Sequence, residues 1–104
     1  MKLYKVTYFG LFSNTADEAF NHTKYVPTLN DARLAVRKFE YDMQGIGELP
    51  IPFRETDRYI QVVEYKMQTE DGISEYKYQR SEIVATMNNG DTEITQNSKI
   101  FFTA

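Results

Sequence analysis

The segment 58–80 holds two arms of alternating polar and apolar residues around the pair Asp71-Gly72, and no other feature constrains the fold as strongly. A two-residue Asp-Gly loop suits a type I′ turn, in which both central residues have positive φ. Because side chains alternate along a strand, closing the chain there sets the register of the whole hairpin. A slip of one residue would place tyrosine opposite charge throughout. The predicted opposite pairs are Glu70–Ile73, Gln68–Glu75, Met67–Tyr76 and Tyr65–Tyr78.

One face of this predicted hairpin is aromatic and aliphatic, whereas the other is charged and amidic. The first face carries Val63, Tyr65, Met67, Tyr76 and Tyr78, and the second carries Glu64, Lys66, Gln68, Glu75, Lys77 and Gln79. Tyrosines exposed on a sheet can stack on the bases of single-stranded nucleic acid. Aromatic cross-strand pairs are, however, ordinary stabilisers of a sheet. We therefore expect the aromatic face to lie beneath a helix.

The segment from Thr28 to Gln44 has the apolar spacing of an amphipathic helix. Its apolar residues recur at steps of three and four, at Leu29, Ala32, Val36, Phe39 and Met43. Thr28 is the expected N-cap, and Asp31 at the third helical position completes a pattern similar to a capping box. Gly45 is the expected residue at the C-terminal end of the helix.

The remaining segments predict shorter strands joined by turns. Strands are expected at Lys2–Phe12, Ser81–Met87 and Ile100–Thr103. Gly10 marks a bulge or a close backbone approach within the first of these strands. A turn centred on Asn89-Gly90 would set Ala85 across from Ile94.

The whole chain, residues 1–104, is expected to form a single globular domain with one modest core. Residues 13–27 fit either a short turn of helix through 17–20 or an irregular loop with 22–26 extended. The other elements follow the order β-α-β-β-β. We therefore predict an α+β fold in which a mainly antiparallel sheet of four to six strands carries one long helix on one face. That helix would cover the aromatic hairpin face together with Tyr4, Val6 and Tyr8.

The sequence holds no specific catalytic or cofactor-binding pattern. It has no cysteine, which excludes disulfides, cysteine-ligated zinc and thiol nucleophiles. His22 is the single histidine, and the sequence supplies neither an orienting carboxylate nor a nucleophile for it. Glycine-rich phosphate loops, serine elbows and metal-spaced histidines are also missing. We therefore predict no enzymatic activity, no catalytic residues, no cofactor and no metal site.

The charge and hydropathy patterns suggest a small acidic protein of the cytoplasm. The net charge is −3, and no segment is a basic arm of the kind that gives sequence-independent nucleic-acid binding. Nucleic acid is therefore not the expected partner. The N-terminal residues lack the apolar run of a signal peptide, and no stretch approaches the ~20 apolar residues that span a bilayer. The lack of cysteine suits a reducing compartment.

Two features are candidates for a partner-binding site. Arg33 and Arg37 lie one helical turn apart and project together, as a pair gripping a phosphate or a partner's carboxylate would, although the favoured interpretation is a solvated helix face with local charge pairs. In the segment 49–53, two prolines hold the backbone extended and place Leu49, Ile51 and Phe53 on alternate positions. These side chains either cover the edge of the core or dock on a partner with little loss of entropy.

We predict from these features a small intracellular protein–protein interaction module that occupies a surface on a larger protein of unknown identity. A phage- or mobile-element-encoded inhibitor of a host protein fits the size and composition. A single-stranded nucleic-acid-binding domain that uses an aromatic sheet face is the alternative. A homodimer formed through an exposed edge strand is also open.

Overall fold

The computed structural model of the protein describes residues 1–12, 15, 17–49 and 56–103. These residues form one helix and five strands, in the order β-β-α-β-β-β. The elements are β1 (Lys2–Phe12), β2 (Glu18–Val26), α1 (Leu29–Met43), β3 (Thr56–Glu70), β4 (Ile73–Met87) and β5 (Thr95–Gln96). Neighbouring strands are antiparallel, and their spatial order is β2-β1-β3-β4-β5. The predicted α+β class, an antiparallel sheet with one helix packed against it, is confirmed.

The predicted hairpin forms the long central part of the sheet. Asp71 has a φ of 52° and Gly72 a φ of 77°, the positive values that a type I′ turn requires. β1 accompanies β3 as far as Met67, whose N–H donates to the Met1 carbonyl at 2.8 Å. Beyond that point, residues 68–75 pair only with each other and form a two-stranded extension, which we call the ribbon. The observed opposite pairs include Glu70–Ile73, Gln68–Glu75, Met67–Tyr76 and Tyr65–Tyr78, as predicted.

The segment between β1 and the helix contains a strand that the predicted order lacks. β2 pairs with β1 along its length, and the register shifts between Gly10 and Leu11. The absent side chain of Gly10 makes room for the ring of Phe20, which a Cβ at that position would overlap. The bulge expected at Gly10 is therefore present, and what approaches this glycine closely is a side chain rather than another backbone segment. β2 alternates weakly, and its conformation follows from its pairing with β1 more than from its own pattern.

The helix begins and ends where its capping residues predict. The Asp31 N–H donates to Thr28 Oγ1 at 3.1 Å, and Gly45 follows the C-cap residue with a φ of 80°. The ring of Tyr8 lies at the centre of the interface with the sheet, and its centroid is 5.7 Å from that of Phe39. The core consists of Tyr4, Val6, Tyr8, Val26, Ala32, Ala35, Val36, Phe39, Met43, Ile60, Val62, Val84, Ala85, Met87 and Phe101.

The aromatic face of the hairpin does not lie beneath α1, and that prediction is wrong. Pairing between β1 and β3 sets Leu3 opposite Tyr65 and Tyr4 opposite Glu64. Because opposite residues of paired strands project to the same face, Tyr65 shares the face of Leu3, and the helix covers the face of Tyr4. The expectation for Tyr4, Val6 and Tyr8 is confirmed, since all three are buried in the core.

The inner half of the hairpin explains this difference. The face that is charged in the outer half, at Glu64 and beyond, carries Ile60 and Val62 closer to the middle of the sheet. Both of these side chains are fully buried beneath α1. The helix therefore covers the hairpin face that looked polar from the outer arms.

The connection after β4 also differs from its prediction. The turn residue Gly90 has the expected positive φ of 88°, but residues 88–94 form a longer loop than a two-residue hairpin turn. As a result Ala85 lies opposite Gln96, rather than opposite Ile94. Ile94 instead packs against the core, which explains why the chain extends the loop before it pairs.

Residues 98–103, which we call the C-terminal segment, do not form the predicted strand. They bend around the carboxylate of Glu82, which accepts hydrogen bonds from several of their backbone N–H groups. Phe101 enters the core, where its ring meets that of Tyr4 edge to face with centroids 6.2 Å apart. The half-buried carboxylate of Glu82 thus replaces the strand ladder as the partner of this backbone.

Candidate functional site

The sheet face opposite α1 is uncovered by any described helix or strand, and we call it the open face. It spans β2, β1, β3 and β4. Four strands are about 20 Å wide, and the rows from Phe9 to Met67 are about 25 Å long. This size matches the largest patches on small proteins, which often mark interaction sites. The open face carries Leu3, Lys5, Thr7, Phe9, Asn21, Thr23, Tyr25, Tyr59, Gln61, Val63, Tyr65, Met67, Tyr76, Tyr78, Ser81, Ile83 and Thr86.

The open face is almost free of charge. Among the residues just named, only Lys5 has a charged side chain. Glu18 and Asp57 lie at one end of the open face, opposite Leu11. The rings of Phe9 and Tyr59 stack with their centroids 5.3 Å apart and their planes 24° apart. The open face thus carries far less charge than the chain as a whole, in which 26% of residues are charged.

The tyrosines toward both edges of the open face are the most accessible of its large hydrophobic side chains. Tyr25 is 58% exposed, Tyr78 is 60% exposed and Tyr76 is 39% exposed. The hydroxyls of Tyr78 and Ser81 lie within hydrogen-bond distance, at 3.0 Å. The Tyr76 hydroxyl donates to the Met1 sulfur at 3.6 Å. These rings therefore present large contact surfaces that the described part of the protein holds in place without covering.

A second candidate site lies between α1 and the C-terminal segment, and we call it the arginine groove. It has a volume of about 470 Å³. Arg33 and Arg37 line it together, as their spacing predicts. The Arg33 guanidinium carbon lies 5.5 Å from the centroid of the Phe102 ring, within the range of a cation–π contact. The other lining residues are Val36, Glu40, Val84, Gln96, Ser98 and Thr103.

Glu82 organises the wall of this groove. Its carboxylate accepts hydrogen bonds from the Ser98 hydroxyl at 2.6 Å and from the N–H groups of Lys99 and Ile100 at 2.5 and 2.8 Å. Burial of Glu82 would raise the pKa of its carboxyl, but the hydrogen bonds from Ser98, Lys99 and the two following residues outweigh it and lower the pKa. The ionised form of Glu82 therefore holds the C-terminal segment in place.

The carboxylate of Glu64 links the three strands β1, β3 and β4. Glu64 accepts a hydrogen bond from the Tyr4 hydroxyl at 2.9 Å and one from Arg80 Nε at 3.3 Å, and it lies 3.7 Å from Lys2 Nζ. Burial would raise the pKa of Glu64, but these donors and charges lower it overall. Burial and the bond to Glu64 together raise the pKa of Tyr4. The charged and polar groups of this cluster bind one another, so the cluster stabilises the fold.

The helix end holds a second cleft, of about 360 Å³, and Leu49, the first residue of the predicted proline-containing segment, lines it. Leu49 is half-buried and packs against the core. Its N–H donates to Oδ1 of the buried Asp42 at 3.0 Å. Ile51 and Phe53, the other two predicted contact residues, lie outside the described residues.

Sequence reasoning missed the residues of the open face on β1 and β3, such as Leu3, Phe9 and Tyr59. A signal for them exists, because β1 is apolar at odd as well as even positions. One of its faces packs under α1, and the other forms the open face.

The described residues include no cluster of side chains suited to metal binding. His22 is half-buried and stacks on Tyr8, with ring centroids 6.3 Å apart. Within the described ranges, histidine, aspartate and glutamate side chains form no group of three or more that could hold a metal ion. No helix in the described part of the chain is long and apolar enough to cross a bilayer.

Comparison of the chain with protein-family models, with curated proteins and with solved structures found no match. The open face and the arginine groove are the two surfaces of the described residues that a partner could bind.

Proposed function

We propose that this protein is a protein–protein interaction module that docks its open face on an apolar, weakly charged surface of a larger protein. The observation that carries the proposal is the combination of aromatic side chains and near absence of charge on the open face. The centres of protein interfaces are depleted of charged residues and enriched in tyrosine, phenylalanine and methionine. An uncharged face selects a partner surface of the same kind, because a charged partner group would lose its hydration without gaining a counter-charge.

The mode of action that we propose is occupation of the partner's surface. A rigid sheet face with stacked rings loses little conformational entropy on docking, and this favours affinity for a preformed partner surface. A small adaptor or inhibitor works in this way. An inhibitor encoded by a phage or mobile element and directed at a host protein remains the form that the size and composition suggest.

The test compares charged substitutions on and off the open face. The variant Tyr25→Glu/Tyr78→Glu places two carboxylates on exposed positions of the open face, and Tyr41→Glu places one on the exposed surface of α1. The partner is first identified by affinity capture from the native host cell, and then purified for titration calorimetry. We expect the double variant to bind at least about tenfold more weakly, a loss of about 1.4 kcal/mol or more. Tyr41→Glu is expected to bind within about twofold of the wild type.

Equal affinity for all three proteins would show that the open face is not the contact surface. Light scattering after size exclusion checks self-association, and a dimer that the double variant dissociates would make a second copy the occupant of the face. Circular dichroism of each variant confirms that the fold is retained.

Single-stranded nucleic acid is the second candidate partner, and the exposed rings of Tyr25, Tyr76 and Tyr78 are the observation that favours it. Lys5 is the single cation on the open face, whereas single-strand binders line their stacking platforms with several cations. We expect filter binding at low salt to detect no retention of oligo-dT or oligo-U. Tight retention that the Tyr25→Glu/Tyr78→Glu variant abolishes would replace the protein partner by nucleic acid.

A further inference from the structure

We propose that the arginine groove binds an acidic peptide segment of a protein partner, with the guanidinium groups of Arg33 and Arg37 receiving its carboxylates. This site lies beside α1, on the side of the sheet opposite the open face, so it is independent of the function proposed above. It is assigned from the charges, the apolar floor and the size of the groove.

The two arginines have no counter-charge in contact with them among the described residues. Neither guanidinium lies within 4.0 Å of a carboxylate oxygen of those residues. Other cations of the same chain do have such partners: Lys2 and Arg80 contact Glu64, and Lys77 contacts Glu75. The arginine groove thus holds two positive charges that no described carboxylate pairs, beside the single negative charge of Glu40.

The carboxylates closest to the groove are engaged by uncharged donors. Glu40 accepts a hydrogen bond from Gln96 Nε2 at 3.0 Å. Glu82 is turned toward the backbone N–H groups of the C-terminal segment. Glu40 lines the groove and keeps its negative charge, but neither arginine forms an ion pair with it, so both guanidinium groups keep their N–H donors available for an external carboxylate.

The chemistry of the groove fits carboxylates that are carried on a peptide. Arg33 is positioned over the Phe102 ring, and the N–H donors of a guanidinium lie in one plane where a carboxylate accepts two of them. Val36, Val84 and Phe102 add apolar surface for a neighbouring side chain. A volume of about 470 Å³ is far larger than one inorganic anion fills, so a peptide with alternating acidic and apolar residues is the fitting occupant.

The experiment is a titration of the isotope-labelled protein with synthetic peptides, followed by NMR. The probe is acetyl-Glu-Glu-Leu-Glu-Glu-amide, and its control replaces each glutamate with glutamine. We expect saturable shifts of the backbone amides of 33–37 and 102–103 with the acidic peptide, and none with the control. Raising the ionic strength from 0.02 to 0.3 M should weaken binding severalfold, because exposed charges are screened over a shorter distance.

Two charge-matched variants separate the groove from the overall charge. Arg33→Glu/Arg37→Glu should weaken peptide binding at least tenfold. Lys24→Glu/Lys38→Glu makes the same change in net charge around the other cleft, and it should bind within about twofold of the wild type. Thermal unfolding of both variants confirms that each one folds.

Several outcomes would overturn the proposal. These are the absence of saturable shifts, equal shifts with the glutamine peptide, or equal weakening by the two double variants. Binding of inorganic phosphate with the same affinity and the same shifts would reduce the groove to a site for small anions. The Tyr25→Glu/Tyr78→Glu variant should keep peptide binding, so failure of the open face as an interface and failure of the groove are distinguishable.

Discussion

Two buried tyrosines on β1 show how much a single hydroxyl partner matters. The Tyr4 hydroxyl donates to Glu64 at 2.9 Å, whereas the buried Tyr8 hydroxyl has no hydrogen-bond partner among the described residues. Arg58 shows the same contrast within one side chain, because its Nη1 donates to the Met43 carbonyl at 2.6 Å and its buried Nε finds no partner in the part of the chain that the structure describes. A buried polar group without a partner costs free energy, since it gives up hydrogen bonds to water on folding.

Removing each hydroxyl should therefore have opposite consequences. Tyr4→Phe leaves the Glu64 carboxylate without its tyrosine donor, and it is expected to lower the free energy of unfolding by about 1–3 kcal/mol. Tyr8→Phe removes an unpaired group and is expected to be neutral or slightly stabilising. Urea unfolding at pH 7 measures both changes. Equal losses in the two variants would mean that the Tyr8 hydroxyl has a partner after all.

Tyr8→Phe should also differ from the wild type in alkali. Burial raises the pKa of Tyr8 from 10.0 to about 12. The folded state then holds the Tyr8 proton where the unfolded state has lost it, so the stabilisation is complete below pH 10 and is lost as the pH rises toward 12. Tyr8→Phe should lack this part of the decline in unfolding free energy between pH 10 and 12. An identical alkaline decline in wild type and variant would contradict the assignment.

At the scale of elements, one carboxylate substitutes for secondary structure. The C-terminal segment has no strand partner among the described residues, and its N–H groups converge on Glu82 instead. This arrangement also places Phe101 in the core and Phe102 under Arg33. The C-terminal segment forms one wall of the arginine groove, and the side chain of Glu82 on β4 holds that segment in place.

Glu82→Gln should loosen the C-terminal segment without unfolding the sheet. The amide offers one acceptor oxygen in place of a charged carboxylate, so we expect a loss of about 1–3 kcal/mol in the free energy of unfolding at pH 7. Because the folded pKa of Glu82 is lowered, the stabilisation from its ionised carboxylate is present above the ordinary pKa of 4.5 and is lost as the pH falls through the folded pKa.

Unfolding free energies at pH 7 and pH 3 check this prediction. The difference between wild type and Glu82→Gln should shrink as the pH is lowered, because protonation of Glu82 removes the charge that distinguishes it from glutamine. Glu64, whose pKa is also lowered, is unchanged in the variant and serves as the internal reference for the remaining acid sensitivity. A gap between the two proteins that does not change with pH would contradict the role of the ionised carboxylate.

At the scale of the whole molecule, the fold is a sheet covered on one side. The ribbon extends past β1, and the longest dimension of the molecule is 50 Å against 30 and 24 Å for the others. All of the ribbon residues, 68–75, are exposed. The centre of β1, by contrast, pairs on both sides with β2 and β3 and is covered by α1. Stability should therefore fall steeply from the middle of the sheet toward the ribbon.

Native-state hydrogen exchange tests this gradient. We expect the amides of Val6, Tyr8 and Val62 to exchange only through global unfolding, and those of 69–74 to exchange through local opening. The difference in rate should be on the order of a thousandfold or more. Comparable protection of the ribbon would show that it is held by contacts other than its own pairing, such as self-association.

The amino-acid sequence was enough to predict those local structures that depend only on residues close together in the chain. Asp71-Gly72 set the hairpin turn and the register of its arms, and Thr28 and Gly45 marked the two ends of the helix. Positive φ and side-chain capping are satisfied by neighbours in the chain, so a short segment contains their cause.

The tertiary structure alone decided which side of the sheet the helix covers. The register between β1 and β3 pairs Leu3 with Tyr65 and so places the tyrosines on the uncovered side, and a shift of one residue would have buried them. That register depends on contacts between residues about sixty positions apart, as the bond from Tyr4 to Glu64 shows. The single helix α1 buries one side of the sheet. It covers the side that carries the apolar side chains of Ile60 and Val62, and the opposite side is the open face.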